Sequence, residues 1–262
     1  MNQKQLTSID YQGQLTIYDC QRFKLQDKIK ISDLPLKQVI IDEFHERLIV
    51  SGYMSTIYSI DMNTLKVIAE FQPKHEEPCK KIYPCIKKLD FNSILVGTGN
   101  ENLRKIDTLH QGRGLLFSYD LRDNQVNTKF RGHFDYILDL EVINEKYFVS
   151  SNHIDKMKVI DQNLLVWDIR NIIKGGHITR QVSIGMDIGD YKNCNAIYSG
   201  SQDGKLYIYD LKQYKLKQAV DLFEFDMLVD VDFNIHNGQI ACLSSKHKQY
   251  ENNISILNPN LF

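Results

Sequence analysis

Six short runs with the residue pattern of β-strands end in the same kind of dipeptide. In chain order these ends are Tyr18-Asp19, Ile60-Asp61, Tyr119-Asp120, Trp167-Asp168, Tyr209-Asp210 and the weaker Leu257-Asn258. Their second residues are 42, 59, 48, 42 and 48 positions apart along the chain. A period of this length indicates one structural unit that recurs and that buries its faces only by stacking on its neighbours.

The fifth repeat, from Asn195 to Val220, shows what each unit contains. Residues 196–200 and 206–210 have the composition of strands, and residues 215–220 begin another strand. Asp203-Gly204 lies between the first two, and Gly supplies the positive φ that a tight hairpin requires. Strand, turn, strand, loop and strand form an antiparallel meander. No segment has a sustained apolar period of 3.6 residues, so the predicted fold class is all-β.

Similar strand-and-turn segments precede the other repeat ends, and on these residues the chain resembles the WD-repeat β-propeller family from about residue 4 to 258. The resemblance implies a single propeller domain, 1–262, of about six four-stranded antiparallel blades with repeats ending near 19, 61, 120, 168, 210 and 258. The first and last repeats each lack sequence for one strand. Either a six-bladed ring closes on itself, or a partner or missing segment completes an incomplete ring of seven.

The resemblance also implies a buried hydrogen-bond network inside a blade. In the family it joins a Trp on the third strand, a Ser or Thr on the second, a His before the first and an Asp in the second hairpin. The fourth repeat offers Trp167, Ser150 or Ser151, His133 and Asp161. Asp203 precedes Tyr209 by the six residues that separate Asp161 from Trp167. On paper the set resembles a hydrolytic triad, but inside a blade wall we expect it to be structural.

Loop length is the sequence feature that says most about function. Gly200 and Tyr209 are nine residues apart, whereas the matching residues of the third repeat, Gly97 and Tyr119, are 22 apart. The fourth repeat has 16 residues between Ser151 and Trp167. Both insertions therefore belong to the hairpin between the second and third strands.

Together with one long connection before the third repeat, these insertions predict a binding rim on blades three and four. The segments are Gln72–Pro84, Thr98–Gly114 and Asn152–Asp161. Long loops on a rigid scaffold are common recognition sites, and neutral drift of solvated loops is the alternative. The candidate partner contacts are basic residues of these loops and of two strand ends: Lys80, Lys81, Arg104, Arg113, Arg122, Lys156 and Arg170.

Trp167-Asp168-Ile169-Arg170 fully fits, and Tyr119-Asp120-Leu121-Arg122 nearly fits, a Trp-Asp-x-Arg pattern. The pattern resembles that of WD-repeat substrate receptors of cullin-RING ubiquitin ligases, in which the Arg contacts the ligase adaptor. The same Arg also occurs in unrelated WD repeats, where it only places a charge at the strand end. A ubiquitin-ligase receptor is therefore the alternative functional prediction.

Composition narrows the remaining classes of function. The net charge of −1 gives no global attraction to nucleic acid or anionic membrane. No apolar run is long enough to cross a bilayer, and five scattered cysteines indicate reduced thiols and a cytoplasmic or nuclear location. His75, Cys79 and Cys85 lack the close Cys pairs of structural zinc sites.

The sequence therefore predicts a non-enzymatic protein-interaction scaffold, a WD-repeat subunit of a larger complex. We expect other proteins as partners, and no nucleic acid, membrane, small-molecule ligand, metal or cofactor. No phosphate-binding Gly loop or convincing pair of catalytic carboxylates is present, so an enzymatic function is not expected.

Overall fold

Antiparallel strands build the protein, as a computed structural model shows for residues 5–22, 24–73, 81–100, 114–130, 133, 136–152, 164–169, 177–179, 183–191, 194–201, 203–213, 215–223, 227–245 and 252–258. These residues form 22 strands and one short 3-10 helix, Glu43–His45, with no α-helix among them. The prediction of an all-β fold of antiparallel meanders is confirmed. The chain forms two compact units, Met1–Phe130 and Arg131–Phe262.

The first unit contains one three-stranded sheet and two four-stranded meanders. Its strands are β1 (Gln5–Ile9), β2 (Gln14–Asp19), β3 (Lys24–Lys30), β4 (Leu36–Asp42), β5 (Arg47–Gly52), β6 (Ile57–Asp61), β7 (Val67–Phe71), β8 (Lys81–Lys88), β9 (Ser93–Asn100), β10 (Leu116–Asp120) and β11 (Gln125–Phe130). The meanders β4–β7 and β8–β11 are joined into one sheet through a single backbone pair, Gly52 with Tyr83.

The second unit contains two four-stranded meanders followed by a sheet of three strands. Its strands are β12 (Ile137–Val142), β13 (Tyr147–Asn152), β14 (Leu164–Asp168), β15 (His177–Thr179), β16 (Ser183–Tyr191), β17 (Cys194–Ser201), β18 (Lys205–Asp210), β19 (Lys215–Asp221), β20 (Met227–Phe233), β21 (Ile240–Ser245) and β22 (Asn252–Leu257). In both units each strand pairs with the strand next to it in sequence, as in a meander.

The Asp that closes each repeat has a local structural role. β2, β6, β10 and β18 all end on it, and its carboxylate accepts backbone N–H groups of the turn that follows. Asp19 accepts from residues 21 and 22, Asp61 from residues 63 and 64, and Asp210 from residues 212 and 213. Asp forms such turns readily because its short side chain reaches the backbone two and three residues ahead. The repeated residue is thus a turn former.

The hydrophobic core lies on the second and third strands of each meander. β10 is buried at every position, and β5 is buried from Leu48 to Gly52. The last strands of their sheets, β3, β7 and β19, are mostly exposed. The continuous buried runs of β5 and β10 therefore belong to strands inside a sheet, and the exposed strands lie at sheet edges.

The first strand of one meander is hydrogen-bonded to the first strand of the next by a side chain. Gln38 Oε1 accepts from the Ile86 N–H (2.8 Å), Asp139 Oδ2 from Met186 (3.0 Å) and Asp187 Oδ2 from Phe233 (2.7 Å). Strand pairing shifts register at Gln38, Asp139 and Met186, but not at Phe233. Consecutive sheets within each unit therefore stack by a repeated polar contact as well as by apolar packing.

Candidate protein-interaction site

Trp167, Ser150 and His133 are joined by hydrogen bonds inside the sheet β12–β15. Trp167 Nε1 donates to Ser150 Oγ over 2.7 Å, and His133 Nε2 lies 2.6 Å from the same oxygen. All three side chains are buried, and the indole stacks on Phe148 with ring centroids 6.0 Å apart. A hydroxyl that accepts from an indole can donate to an imidazole at the same time. Because Ser150 is fully buried, no substrate reaches this hydroxyl from solvent.

The other residues predicted for the network lie elsewhere. Ser151 Oγ is buried and has no hydrogen-bond partner among the described residues, so of the two serine alternatives Ser150 contacts the indole. Asp161 lies outside the described residues. Asp203 is exposed and accepts from the hydroxyl of Tyr207 over 2.7 Å. The offset had pointed to Tyr209, but Tyr207 is only four residues from Asp203 and its hydroxyl reaches back across the turn.

The insertion between β9 and β10 leaves the sheet from a fixed base. Thr98 N–H donates to the Leu115 carbonyl, and Leu115 N–H donates to Thr98 Oγ1, both over 2.9 Å. Thr98 is fully buried. By contrast, β17 and β18 are connected through residues 202–204 alone, and Gly204 has the positive φ of a tight turn. The extra residues expected from the sequence therefore lie in the hairpin between β9 and β10, which corresponds to the short β17–β18 hairpin.

The long connection before β8 is also tied down at both ends. Gln72 Nε2 donates to Thr56 Oγ1 (3.3 Å), and the buried Tyr83 hydroxyl donates to the Pro73 carbonyl (3.2 Å). The hydroxyl is protonated at neutral pH, and burial raises its pKa further from neutrality. In the sheet, Lys81 pairs with Asn100, so this connection and the β9–β10 insertion start next to each other. The third segment expected at the rim, Asn152–Asp161, belongs to the second unit, and only Asn152 of it is described.

One candidate contact residue, Arg122, lies away from these two loops. The insertion precedes β10, whereas Arg122 follows it, at the other end of the strand. Its guanidinium donates to both oxygens of Asp120, with Nη2 2.9 Å from Oδ2 and Nε 3.3 Å from Oδ1. This hydrogen-bonded pairing lowers the pKa of Asp120 to about 2. Arg122 therefore lies at a strand end, as the sequence pattern placed it, and its part in a partner contact stays a prediction.

The remaining contact candidates are less defined by the structure. Lys81 begins β8, and its position is known from the backbone. The others lie outside the described residues: Lys80, Arg104, Arg113, Lys156 and Arg170. Of the residues considered for zinc, Cys85 is buried in the sheet, and His75 and Cys79 are not described. No group of three or more His, Cys, Asp or Glu in the described part of the chain is placed to hold a metal.

A second surface, which sequence reasoning missed, lies at the turns after β4 and β8. Phe44 and Phe91 contact each other there with ring centroids 5.1 Å apart, and both are exposed. Beneath them Asp42 is buried and accepts from Lys88 Nζ (2.6 Å), Arg47 Nε (2.9 Å) and His45 Nδ1 (2.8 Å). The sequence signal that could have indicated this surface is a phenylalanine, Phe44 or Phe91, inside each of two short polar turns.

The described residues contain no helix that is both long and apolar enough to cross a membrane. No protein-family model matches the chain, and no curated protein matches it significantly in sequence. The WD-repeat resemblance therefore rests on the residues of the repeat themselves.

Proposed function

We propose that the protein is a WD-repeat β-propeller that acts as a non-enzymatic protein-interaction scaffold in a larger complex. The observation that carries this proposal is the pair of long connections that start side by side in the first unit. Lys81 and Asn100, from which they leave, are paired in the sheet. Two fixed loop bases next to each other allow both loops to contact the same partner, and long loops on a rigid support are common recognition sites.

The repeated architecture supports the propeller part of the proposal. Complete meanders in both units have four strands in sequence order, with an exposed fourth strand in β7 and β19. Successive first strands are linked by the same side-chain contact, through Gln38, Asp139 and Asp187. Repeated meanders that bury their faces against the next meander are typical of propellers and other repeat folds.

The geometry of the His-Ser-Trp network supports a scaffold over a hydrolase. In a hydrolase the Ser hydroxyl faces a substrate cleft with an oxyanion site beside it. Here Ser150 lies in the middle of β13, fully buried, and its oxygen is bonded to the Trp167 indole. The same three residue types therefore serve stability.

Shortening the β9–β10 insertion tests the proposal. Residues 101–113 are replaced by Asp-Gly, the turn dipeptide found at Asp203-Gly204, and wild type and variant are used as baits for affinity purification with mass spectrometry. We expect wild type to retain a reproducible set of proteins and the variant to lose most of that set. Because the base at Thr98 and Leu115 is kept, thermal stability should change little.

The matched control is Tyr11→Ala in the short β1–β2 turn, which changes an exposed residue of an equivalent hairpin. It should keep every partner. The proposal is wrong if folded wild type retains nothing above an unrelated bait, or if the shortened variant retains the full set.

A further inference from the structure

Two phenylalanines stand in contact with each other on the surface of the first unit. Phe44 belongs to the 3-10 helix Glu43–His45, and Phe91 to the turn between β8 and β9. Their exposed fractions are 69% and 64%, and the rings meet edge to face at 62°. Phe44 also contacts the imidazole of His45 at 4.8 Å. Contacting aromatic side chains left in solvent are typical of binding sites, because their burial against a partner is strongly favourable.

Hydrogen bonds hold the two turns in place, so the aromatic pair is formed before any partner arrives. Asp90 Oδ1 accepts from the N–H groups of Asn92 and Ser93, each over 2.8 Å. The 3-10 helix ends at Glu46, whose backbone N–H donates to the Glu43 carbonyl. Lys88 at the end of β8 reaches Asp42 at the end of β4 and so ties one turn to the other. Preformed surfaces lose little conformational entropy on binding.

The charges at these turns are divided between the inside and the outside. Arg47, Lys88 and His45 all direct a nitrogen at the buried carboxylate of Asp42. Three exposed residues of the same two turns are acidic, Glu43, Glu46 and Asp90, and the exposed His45 directs Nδ1 at Asp42. The nearby Arg122 is already paired with Asp120. The exposed rings are therefore next in sequence to acidic residues, while Lys88 and Arg47 are paired with the buried Asp42.

We propose that this surface, formed by Phe44 and Phe91 with Glu43, Glu46 and Asp90 at its border, binds a basic segment of a partner protein. An Arg guanidinium of that segment stacks on the aromatic pair and pairs with the bordering carboxylates. Arg is preferred over Lys because its planar group both stacks on rings and binds carboxylates through two parallel hydrogen bonds.

The charge of this surface favours a basic protein segment over a nucleic acid. Single strands also stack bases on exposed aromatic residues, but they require basic groups along the groove to neutralise the phosphates. At the Phe44–Phe91 surface Glu43, Glu46 and Asp90 are exposed while Arg47 and Lys88 are paired with Asp42, so a phosphate backbone would be repelled. An acidic peptide is disfavoured for the same reason.

The surface lies at the opposite end of β8 and β9 from the two long connections. β8 begins after residues 74–80 and ends at the Phe91 turn, whereas β9 begins at that turn and ends at the insertion. The inference rests on the proposed function only in taking the protein to be an interaction scaffold. It adds a second binding surface and the class of its partner.

The test measures binding of a fluorescently labelled peptide of alternating Arg and Gly to the whole protein by anisotropy. The same peptide with Glu for Arg and a labelled oligouridylate are the comparison probes. We expect salt-sensitive binding of the Arg peptide alone. Phe44→Ala and Phe91→Ala should each weaken it about threefold to fivefold, and Glu43→Gln about twofold. Tyr11→Ala, which removes another exposed aromatic residue from a distant turn, should leave it unchanged.

Any of three results would overturn the inference. The Arg peptide could bind equally to wild type and to both Phe→Ala variants, the oligouridylate or the Glu peptide could bind more tightly, or Phe44→Ala could abolish a self-association seen by native mass spectrometry. The variant with the shortened β9–β10 insertion separates the two proposals. If it loses its cellular partners yet binds the Arg peptide normally, both proposals are supported. If the peptide affinity is unchanged in Phe44→Ala and Phe91→Ala while the loop variant still loses partners, the inference is wrong and the proposed function is still supported.

Discussion

Each unit contains a buried polar centre, and the two centres satisfy their hydrogen bonds with different kinds of partner. In the second unit the centre is a hydroxyl in the middle of a sheet, where Ser150 joins Trp167 and His133. In the first unit it is a carboxylate at the end of a strand, where Asp42 accepts from Lys88, Arg47 and His45, whose side chains remain partly exposed. A hydroxyl needs only hydrogen bonds to be buried, whereas a carboxylate also needs charge partners.

The same sheet position shows the contrast residue by residue. Trp167 pairs with Phe148 across the sheet, and Ser150 follows two residues later. In β9 and β10 the corresponding residues are Tyr119, which pairs with Ile94, and Val96. There the position of the serine hydroxyl is apolar, and Tyr119 instead bonds through its hydroxyl to Asn124. One repeat is held at this point by a polar network and the other by packing.

The largest effect should follow from removal of the indole. Trp167→Ala is expected to lower the free energy of unfolding by about 3–5 kcal/mol, because it leaves a large cavity beside Phe148 and breaks the bond to Ser150. Denaturant unfolding measures this change. A loss below about 1 kcal/mol would show that the indole is not part of the core.

Removal of the charged centre should have the next largest effect, and one that depends on pH. Burial alone would raise the pKa of Asp42, but hydrogen bonds from Lys88, Arg47 and His45 outweigh it and lower the pKa from 3.8 to about 2. A depressed pKa stabilises the fold above the unfolded value, and this contribution is lost as pH falls toward 2. Asp42→Asn should therefore cost about 2–3 kcal/mol at neutral pH.

Unfolding curves of wild type and Asp42→Asn at several pH values check this prediction. The difference in stability between them should shrink between pH 3.8 and about 2. Asp120, whose pKa is also low, is present in both proteins and cancels from the comparison. A difference that stays constant down to pH 2 would show that Asp42 contributes by shape and not by charge.

A reciprocal exchange tests the contrast between the two sheets directly. Ser150→Val leaves the indole N–H without its acceptor and should cost about 1–3 kcal/mol, although valine fits the same position in β9. Val96→Ser buries a new hydroxyl in an apolar site and should also destabilise, by about 1–3 kcal/mol. Ser59→Ala is the matched control, because the buried Ser59 oxygen has no partner among the described residues. If Ser59→Ala and Ser150→Val lower the free energy of unfolding equally, the hydrogen bonds of Ser150 do not contribute more than a hydroxyl without a partner.

The smallest effect should come from Tyr119→Phe. The ring keeps its contacts with Phe71 and Phe117, and only the hydroxyl bond to Asn124 is lost. We expect about 0.5–1 kcal/mol in the free energy of unfolding. A loss as large as that of Ser150→Val would mean that the apolar sheet also depends on a hydrogen bond at this position.

The fold could be predicted from local sequence patterns. The features that could not be predicted depend on contacts between residues far apart in the chain. The strand-ending Asp could be read from sequence because it acts on the next three residues, as Asp61 and Asp210 do. The choice between Ser150 and Ser151 could not, since it depends on which face of β13 meets Trp167. Asp42 and Lys88 are 46 residues apart, and no periodicity links them.

The candidate sites were predictable to a similar degree. Insertion lengths located the two neighbouring loop bases, because an extra segment in a hairpin is visible as spacing. The Phe44–Phe91 surface was missed, since its two turns are adjacent only after β4 and β8 have been placed next to each other. Arg122 was placed correctly at the end of β10 because its pattern is local, whereas the ion pair that it forms with Asp120 was not predicted.

The side-chain links between first strands have a direction. In each case the acceptor belongs to the earlier strand and the donor to the later one, as Asp139 precedes Met186 and Asp187 precedes Phe233. The acceptor is a side chain in every link and the donor is a backbone N–H group. A substitution other than to proline can remove the acceptor but not the donor, so each link can be altered by such a mutation only from its earlier strand.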